Sequence, residues 1–177
     1  NEKDQHDYRS INIEGTKNLA EQAVKAGVKR LVFLSSVKVN GEGFNENVTK
    51  KNNEFFFFNQ EDTPNPQGEY AISKHKTEKV LWEISAKKNL EVVIVRLPLV
   101  YGKDVKGNLA RLIKLVKLGI PLPLSMIQNQ RSMIGVDNLV DLIIQCIDHP
   151  VAAGKTFLVS DGEDLSTTDL INHIGIS

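Results

Sequence analysis

The sequence predicts an α/β fold that combines part of a doubly wound parallel sheet with part of a smaller domain. Three apolar runs, at residues 29–35, 90–97 and 155–160, have the length of buried strands and alternate with segments of helical periodicity. Strands that alternate with helices are usually parallel neighbours joined by right-handed crossovers. A complete sheet of this kind has about six strands, so we expect this chain to be the middle of a larger protein.

The first half of the chain contains two predicted helices, each followed by a strand. Apolar residues recur at helical spacing from about 10 to 26, and Gly27 is suited to end that helix. The strand that follows ends in a pair of serines. After a long polar loop, a second helix spans 69–88, and the strand at 90–97 stops at Pro98, which has no amide hydrogen to donate.

The second half continues the alternation with shorter elements. We expect an amphipathic basic helix at 109–118, a helix from Asp137 and the strand at 155–160. A last helix begins near Ser166, whose side chain forms a capping-box pattern with Asp169 three residues later.

Composition limits the function classes. Twenty-two basic and 22 acidic residues leave no net charge, which argues against nucleic acid as a partner. The single cysteine, Cys146, excludes a disulfide framework and indicates a reducing compartment. No stretch approaches the ~18 apolar residues of a membrane span, so we expect a cytoplasmic protein without membrane contact. The four histidines lack ligand spacing, and no metal site is expected.

The candidate chemistry lies at Tyr70, Lys74 and Ser36. Tyr70 and Lys74 share one helix face, and Ser36 ends a strand at the edge where α/β sheets bind ligands. A tyrosine with a pKa of about 10 is a poor base, and we expect the lysine ammonium and hydrogen bonds to lower that pKa towards about 7. Ser36 then holds a substrate alcohol or carbonyl against the tyrosine oxygen. The pattern predicts a proton-transfer site, although so short a motif also fits a solvated helix face.

Four longer sequence motifs restrict the kinds of enzyme that the chain could resemble. In chain order they are Asn12-x-x-Gly15-Thr16-x-Asn18-Leu19, Phe33-Leu34-Ser35-Ser36, Tyr70-x-x-x-Lys74 and Arg96-x-Pro98-x-Val100-Tyr101-Gly102. Together they resemble the extended short-chain dehydrogenase/reductases of the NAD-dependent epimerase/dehydratase family, especially the nucleotide-sugar 4-epimerases. The segments around Asn108, Pro121 and Arg131 are similar to a bacterial branch that handles UDP-sugars of surface polysaccharides.

The resemblance implies both the domains and the roles of individual residues. Residues 1–102 are expected to be the carboxyl-terminal part of a Rossmann-like dinucleotide-binding domain, and residues 103–177 part of a substrate-binding region interleaved with the last strands and helices. Tyr70 would be the catalytic base or acid, Lys74 would tune it and hold the nicotinamide ribose, and Ser36 would share the substrate hydrogen bond. The cofactor is expected to contact Ser35, Tyr70, Lys74 and Pro98, and the substrate Ser36, Lys38, Asn108 and Arg131.

The activity implied is that of an NAD-dependent UDP-hexose 4-epimerase that works through a 4-keto intermediate, with NADP not excluded. An NAD(P)H-dependent 4-keto-sugar reductase or dehydratase would use the same three residues, and a catalytically silent nucleotide-binding protein is a third possibility. In such relatives the helices at 10–27 and 69–88 lie side by side and often form a homodimer, which we expect here.

Two departures from the family pattern concern cofactor and substrate. The sequence contains no G-x-G-x-x-G turn, so we expect residues 1–177 alone to bind dinucleotide poorly. Gly135 stands where many relatives have a histidine, which leaves the details of the sugar pocket open.

Overall fold

The computed structural model describes residues 8–42, 57–103, 108–118 and 130–176. In chain order its elements are a π-helical segment (Tyr8–Gly15), α1 (Thr16–Lys25), β1 (Arg30–Ser36), a 3₁₀ turn (Val37–Val39), α2 (Gly68–Lys87), β2 (Glu91–Leu97), β3 (Leu99–Tyr101), α3 (Asn108–Lys117), β4 (Arg131–Gly135), α4 (Val136–Asp148), a 3₁₀ turn (Pro150–Ala152), β5 (Thr156–Leu158), β6 (Asp164–Leu165) and α5 (Thr167–Ile176).

The chain divides into two compact units. The first comprises Asn1–Arg96 with Ile144–Leu158, and the second comprises Leu97–Ile143 with Val159–Ser177. The division after residue 102 that the sequence suggests stays a prediction about the whole protein.

The first unit contains a three-stranded sheet in the order β1-β2-β5. Strands β2 and β5 are parallel, with Ile94 opposite Thr156 and Arg96 opposite Leu158. Residues 92–95 of β2 are fully buried, as expected for a central strand that is apolar on both faces. All three strands predicted from the apolar runs are therefore present, and the parallel α/β class is confirmed.

The two predicted helices of the first unit lie side by side. Asn12 donates to the Ser73 hydroxyl at 3.0 Å, and the Thr77 hydroxyl donates to the backbone carbonyl of Asn12 at 3.0 Å. The rings of Tyr8 and Tyr70 meet edge to face with centroids 5.9 Å apart. The first helix begins as a π-helix at Tyr8 instead of as an α-helix near residue 10, and it becomes α-helical only at Thr16.

Gly27 ends α1 as the sequence predicts. Its φ is +73°, a conformation that costs glycine little. The backbone N–H of Gly27 donates to the carbonyl of Val24 at 3.1 Å, and that of Val28 donates to the carbonyl of Ala23 at 2.9 Å. These two bonds satisfy carbonyls that the end of the helix would otherwise leave without partners.

The second unit contains a second three-stranded sheet, in the order β3-β4-β6. Strands β3 and β4 are parallel, and β4 and β6 are antiparallel. The sequence predicts only the strands at 29–35, 90–97 and 155–160, so this sheet corrects the expected element order. Pro98 does end β2, but the chain resumes as β3 one residue later. Strands β4 and β6 mix polar with apolar side chains and form no apolar run.

The start of α5 has the predicted capping box. The Ser166 hydroxyl accepts from the backbone N–H of Asp169 at 3.0 Å, and the Asp169 carboxylate accepts from the backbone N–H of Ser166 at 3.3 Å. Each side chain thus satisfies a backbone donor at the beginning of the helix.

Gly102 permits a close approach of the chain to the start of α4. A Cβ atom at this position would lie 2.6 Å from Val136 Cγ1 and 3.2 Å from Val136 Cβ, closer than non-bonded carbons can approach. Gly162 has a φ of +86° but open space around the corresponding position.

We predict that Gly102→Ala destabilises the protein by about 1–3 kcal/mol more than Gly162→Ala, because only the first adds a steric clash to any backbone strain. Urea denaturation of both variants measures the difference. Equal losses would show that Val136 moves aside without cost.

Candidate functional site

Ser36 lies where β1 passes into a 3₁₀ turn. Its backbone is extended, with φ −142° and ψ 144°, and its hydroxyl accepts from the backbone N–H of Lys38 at 3.3 Å. The same side chain lies close enough to Tyr70 to lower the pKa of the phenol. The structure therefore brings together Ser36 and Tyr70, as the sequence predicts, at the carboxyl end of a strand.

Tyr70 lies in the first turn of α2 and is 39% exposed. Burial raises the pKa of Tyr70 above its usual 10.0, and the neighbouring Tyr8 raises it further. The nearby Ser36 hydroxyl and the Lys38 charge lower this pKa, but the net direction is upward. Tyr70 is therefore a protonated phenol at neutral pH in this structure.

Lys74 follows Tyr70 by one helical turn but directs its ammonium elsewhere. Its Nζ donates to the backbone carbonyl of Leu34 at 2.9 Å and lies 4.6 Å from the centre of the Phe33 ring. Burial lowers the pKa of Lys74, with Glu78 opposing that change. This corrects the expectation that Lys74 lowers the pKa of Tyr70: burial outweighs the charges around the phenol, and the cation that contributes is Lys38.

Lys38 and Ser35 flank Ser36 in different surroundings. The ammonium of Lys38 pairs with Glu42 at 2.5 Å, and both side chains are about half exposed. Lys38 is thus accessible to a ligand, as a substrate contact requires. The Ser35 hydroxyl is buried and donates to Glu78 at 2.5 Å. Its side chain can contact a cofactor only if it leaves Glu78, and its predicted role stays a prediction.

Three further predicted residues belong to the second unit. Pro98 separates β2 from β3, Asn108 is the first residue of α3, and Arg131 begins β4 with an exposed side chain. Their predicted contacts with cofactor and substrate stay predictions.

Asp161 is a polar centre of the second unit that the sequence does not indicate. Its carboxylate accepts from the Tyr101 hydroxyl at 2.7 Å, the Gly135 backbone N–H at 2.9 Å and the Asn138 amide at 2.8 Å. The hydrogen bonds from Asn138 and Tyr101 lower the pKa of Asp161, and the bond to Asp161 raises the pKa of Tyr101. Gly135, which replaces a histidine of many relatives, is therefore held at the carboxylate through its backbone.

Two observations concern ligands and surfaces more broadly. In the part of the chain that the structure describes, no cluster of His, Cys, Asp and Glu side chains could hold a metal ion. Within those same residues, no helix is long and apolar enough to cross a membrane.

A groove of about 540 Å³ lies between the π-helical segment, α1 and α2, away from Tyr70. The residues that line it include Ile13, Lys17, Val24, Val80, Glu83 and Ile84.

Comparison with known proteins gives a consistent picture. The model of the NAD dependent epimerase/dehydratase family matches residues 1–160. The UDP-glucose 4-epimerase of Vibrio cholerae is 47% identical over 171 residues, which are 96% of this chain and 50% of that protein. The chain spans about half the length of the curated relatives that it matches.

Solved structures share the fold. The UDP-glucose 4-epimerase of Thermotoga maritima, solved with UDP-glucose, matches with a TM-score of 0.78 at 22% identity, covering 96% of this chain and 53% of that one. The dTDP-glucose 4,6-dehydratase of Streptomyces venezuelae, solved with NAD, matches with a TM-score of 0.77 at 23% identity, covering 93% and 49%. At these identities the likeness establishes the fold.

We predict that substitutions of the residues around Tyr70 change its pKa in opposite directions. Ser36→Ala and Lys38→Met should raise the pKa of Tyr70, because each removes a group that lowers it, whereas Tyr8→Phe should lower that pKa. A ¹³C-tyrosine NMR titration measures the shifts, with the Tyr70 resonance identified by its loss in Tyr70→Phe. An unchanged pKa in Ser36→Ala would show that the serine does not stabilise the phenolate.

Proposed function

The chain belongs to the NAD dependent epimerase/dehydratase family, and on that premise we propose that the full-length protein is an NAD-dependent UDP-hexose 4-epimerase. The observation that carries the proposal is the proximity of Ser36, at the end of β1, to Tyr70, whose pKa it lowers, with Lys74 one turn further along α2. The 47% identity to the UDP-glucose 4-epimerase of Vibrio cholerae supports this activity over others in the family.

The donor set fits the nicotinamide end of NAD. A half-buried ammonium at Lys74 suits the ribose hydroxyls, and a phenol beside a serine hydroxyl suits a sugar alcohol. When bound, NAD would accept a hydride from the sugar C4 carbon and return it, so that no cofactor is consumed overall.

Tyr70 and Ser36 would handle the proton at the sugar 4-hydroxyl. As the C4 hydrogen leaves, Tyr70 would accept the hydroxyl proton, for which the phenol must first have lost its own proton to solvent, and the Ser36 hydroxyl would hold the sugar oxygen in place. Tyr70 would then donate the proton back to the 4-keto oxygen. The raised pKa of Tyr70 keeps it protonated for this return step, whereas the nearby Ser36 hydroxyl and the Lys38 charge favour the phenolate needed first.

The nucleotide part of the substrate would be bound from the second unit. Arg131 is exposed at the start of β4, and its guanidinium fork suits the oxygens of a diphosphate. Asn108, at the amino end of α3, is the second residue proposed for this contact. We place the activity in the cytoplasm, where it would supply UDP-sugars for polysaccharide synthesis.

We further propose that the full-length protein is a homodimer through the helix pair. Ile11 and Leu19 expose 69% and 64% of their surface, and the groove between the π-helical segment, α1 and α2 contains Ile13, Val24, Val80 and Ile84 beside charged side chains. Two such pairs would bury these side chains in a four-helix bundle, in keeping with the twofold symmetry of most dimers.

Tyr70→Phe should reduce the kcat for interconversion of UDP-glucose and UDP-galactose by at least about 100-fold, since a general acid–base group contributes ~10²–10⁴. The fold should persist because only a hydroxyl is lost. Tyr101→Phe, which removes the hydroxyl that contacts Asp161 in the second unit, is the matched control and should keep most activity. The assay uses the full-length protein with NAD, and circular dichroism checks folding.

A near-normal kcat in Tyr70→Phe would contradict the catalytic assignment. Stoichiometric consumption of reduced cofactor by the unmodified enzyme would instead favour a 4-keto-sugar reductase with the same site.

Leu19→Asp should convert the proposed dimer to a monomer, because a carboxylate would be buried without a partner at the interface. Val151→Asp, at a side chain that is 66% exposed outside the helix pair, is the control and should stay dimeric. Light scattering after gel filtration measures the mass. A dimeric Leu19→Asp variant would place the interface elsewhere.

A further inference from the structure

Four polar residues with almost no exposure form a cluster beneath the site. Ser35, Asn40, Glu78 and Arg96 expose between 2% and 5% of their surface. They come from the end of β1, the residue after the 3₁₀ turn, the middle of α2 and the end of β2. Buried polar groups require hydrogen-bond partners, and these four side chains form hydrogen bonds with one another.

The contacts form a continuous chain. Glu78 Oε1 accepts from the Ser35 hydroxyl at 2.5 Å and from Arg96 Nε at 3.0 Å, while Glu78 Oε2 accepts from Arg96 Nη2 at 2.7 Å. The remaining Arg96 nitrogen donates to Asn40 Oδ1 at 2.9 Å. The Asn40 amide donates in turn to the backbone carbonyl of Asn59 at 3.0 Å.

This chain holds both ends of the segment that carries Ser36. Ser35 lies immediately before Ser36, and Asn40 lies immediately after the 3₁₀ turn that Ser36 caps. Glu78 projects from the same helix as Tyr70, one turn beyond Lys74. The contacts therefore connect the serine of the site to the helix that carries the tyrosine.

A contribution to the stability of the fold does not by itself explain why these polar residues are buried together. Taking an arginine and a glutamate out of water costs several kcal/mol, and apolar residues of similar size often stabilise a protein equally well. A bidentate arginine–carboxylate pair with further hydrogen bonds does restrict the relative orientation of the side chains, which apolar packing leaves freer. The arrangement is thus better suited to setting geometry than to adding stability.

We propose that Arg96 and Glu78, together with Asn40, are positioning residues that hold the Ser36 hydroxyl against Tyr70. This proposal rests on the proposed function for its catalytic consequence. The positioning itself is a property of the folded chain that can be measured without substrate.

The test is Arg96→Lys in the full-length protein. A lysine keeps the charge but cannot reach both Glu78 oxygens and Asn40 at once. We expect the pKa of Tyr70 to rise, because the Ser36 hydroxyl, which lowers it, is no longer held close to the phenol. We expect the kcat for UDP-glucose to fall at least about tenfold with KM changed by less than about threefold, as for misplaced catalytic groups.

Arg30→Lys is the matched control. Arg30 pairs with Glu91 at 2.8 Å and also donates to the backbone carbonyls of Cys146, Ile147 and His149. It joins the amino ends of the same two strands, at the opposite end of β1 from the serine pair. Its substitution should lower stability without changing the pKa of Tyr70 or kcat.

Two further variants keep the proposal falsifiable if Arg96→Lys does not fold. Asn40→Ala removes only one end of the chain of contacts and should shift the Tyr70 pKa and kcat in the same directions, by less. The double change Glu78→Leu with Arg96→Met replaces the ion pair by apolar groups and should fold while losing turnover.

An unchanged Tyr70 pKa and unchanged kcat in folded Arg96→Lys or Asn40→Ala would overturn the proposal, as would a fully active double variant. If the unmodified protein does not interconvert UDP-sugars, the proposed function fails. The Tyr70 titration still decides the positioning role in that case.

Discussion

The buried carboxylate of Glu78 is the contact on which the arrangement of the site depends. It projects from α2 and accepts from Ser35 of β1 and from Arg96 of β2, so three elements meet at two oxygen atoms. A carboxylate 2% exposed is tolerated only when its hydrogen-bonding capacity is filled, which restricts how these elements can be placed. The apolar core around Leu81 and Ile94 supplies much of the driving force for burial, but such packing is far less directional.

Desolvation favours the neutral forms of both Tyr70 and Lys74, the two ionisable side chains of the site. It raises the pKa of Tyr70 and lowers the pKa of Lys74, so both side chains are displaced towards their neutral forms. The proposed epimerase activity requires that the proton removed from the sugar be returned, and a Tyr70 that is protonated can return it. The removal step depends on the opposing contributions of Ser36 and Lys38. The ordinary pKa of a tyrosine side chain gives no information about these opposing contributions.

The sequence predicts those features that have a periodic or local signal. Long apolar runs predict β1, β2 and β5, glycine predicts the end of α1, and the spacing of Tyr70 and Lys74 predicts that they share a helix face. The second sheet was not predicted because β3 directly follows Pro98, which ends β2, and because β4 and β6 mix polar with apolar side chains and form no apolar run. Glu78 and Arg96 were missed for another reason: a charged residue is usually exposed, and only the folded chain shows that these two bury each other.

Charged side chains make contacts at both ends of the first two strands, and those at the carboxyl ends hold the segment that carries Ser36. At the amino ends Arg30 of β1 binds Glu91 of β2, and at the carboxyl ends Ser35 and Arg96 share Glu78. A shift of β1 along β2 by one residue would break both sets of contacts at once, and it would leave buried donors unsatisfied. The register of the sheet therefore determines where the Ser36 hydroxyl lies relative to Tyr70. The contacts that decide this position are those of Ser35 and Arg96 with Glu78 at the carboxyl ends of the strands.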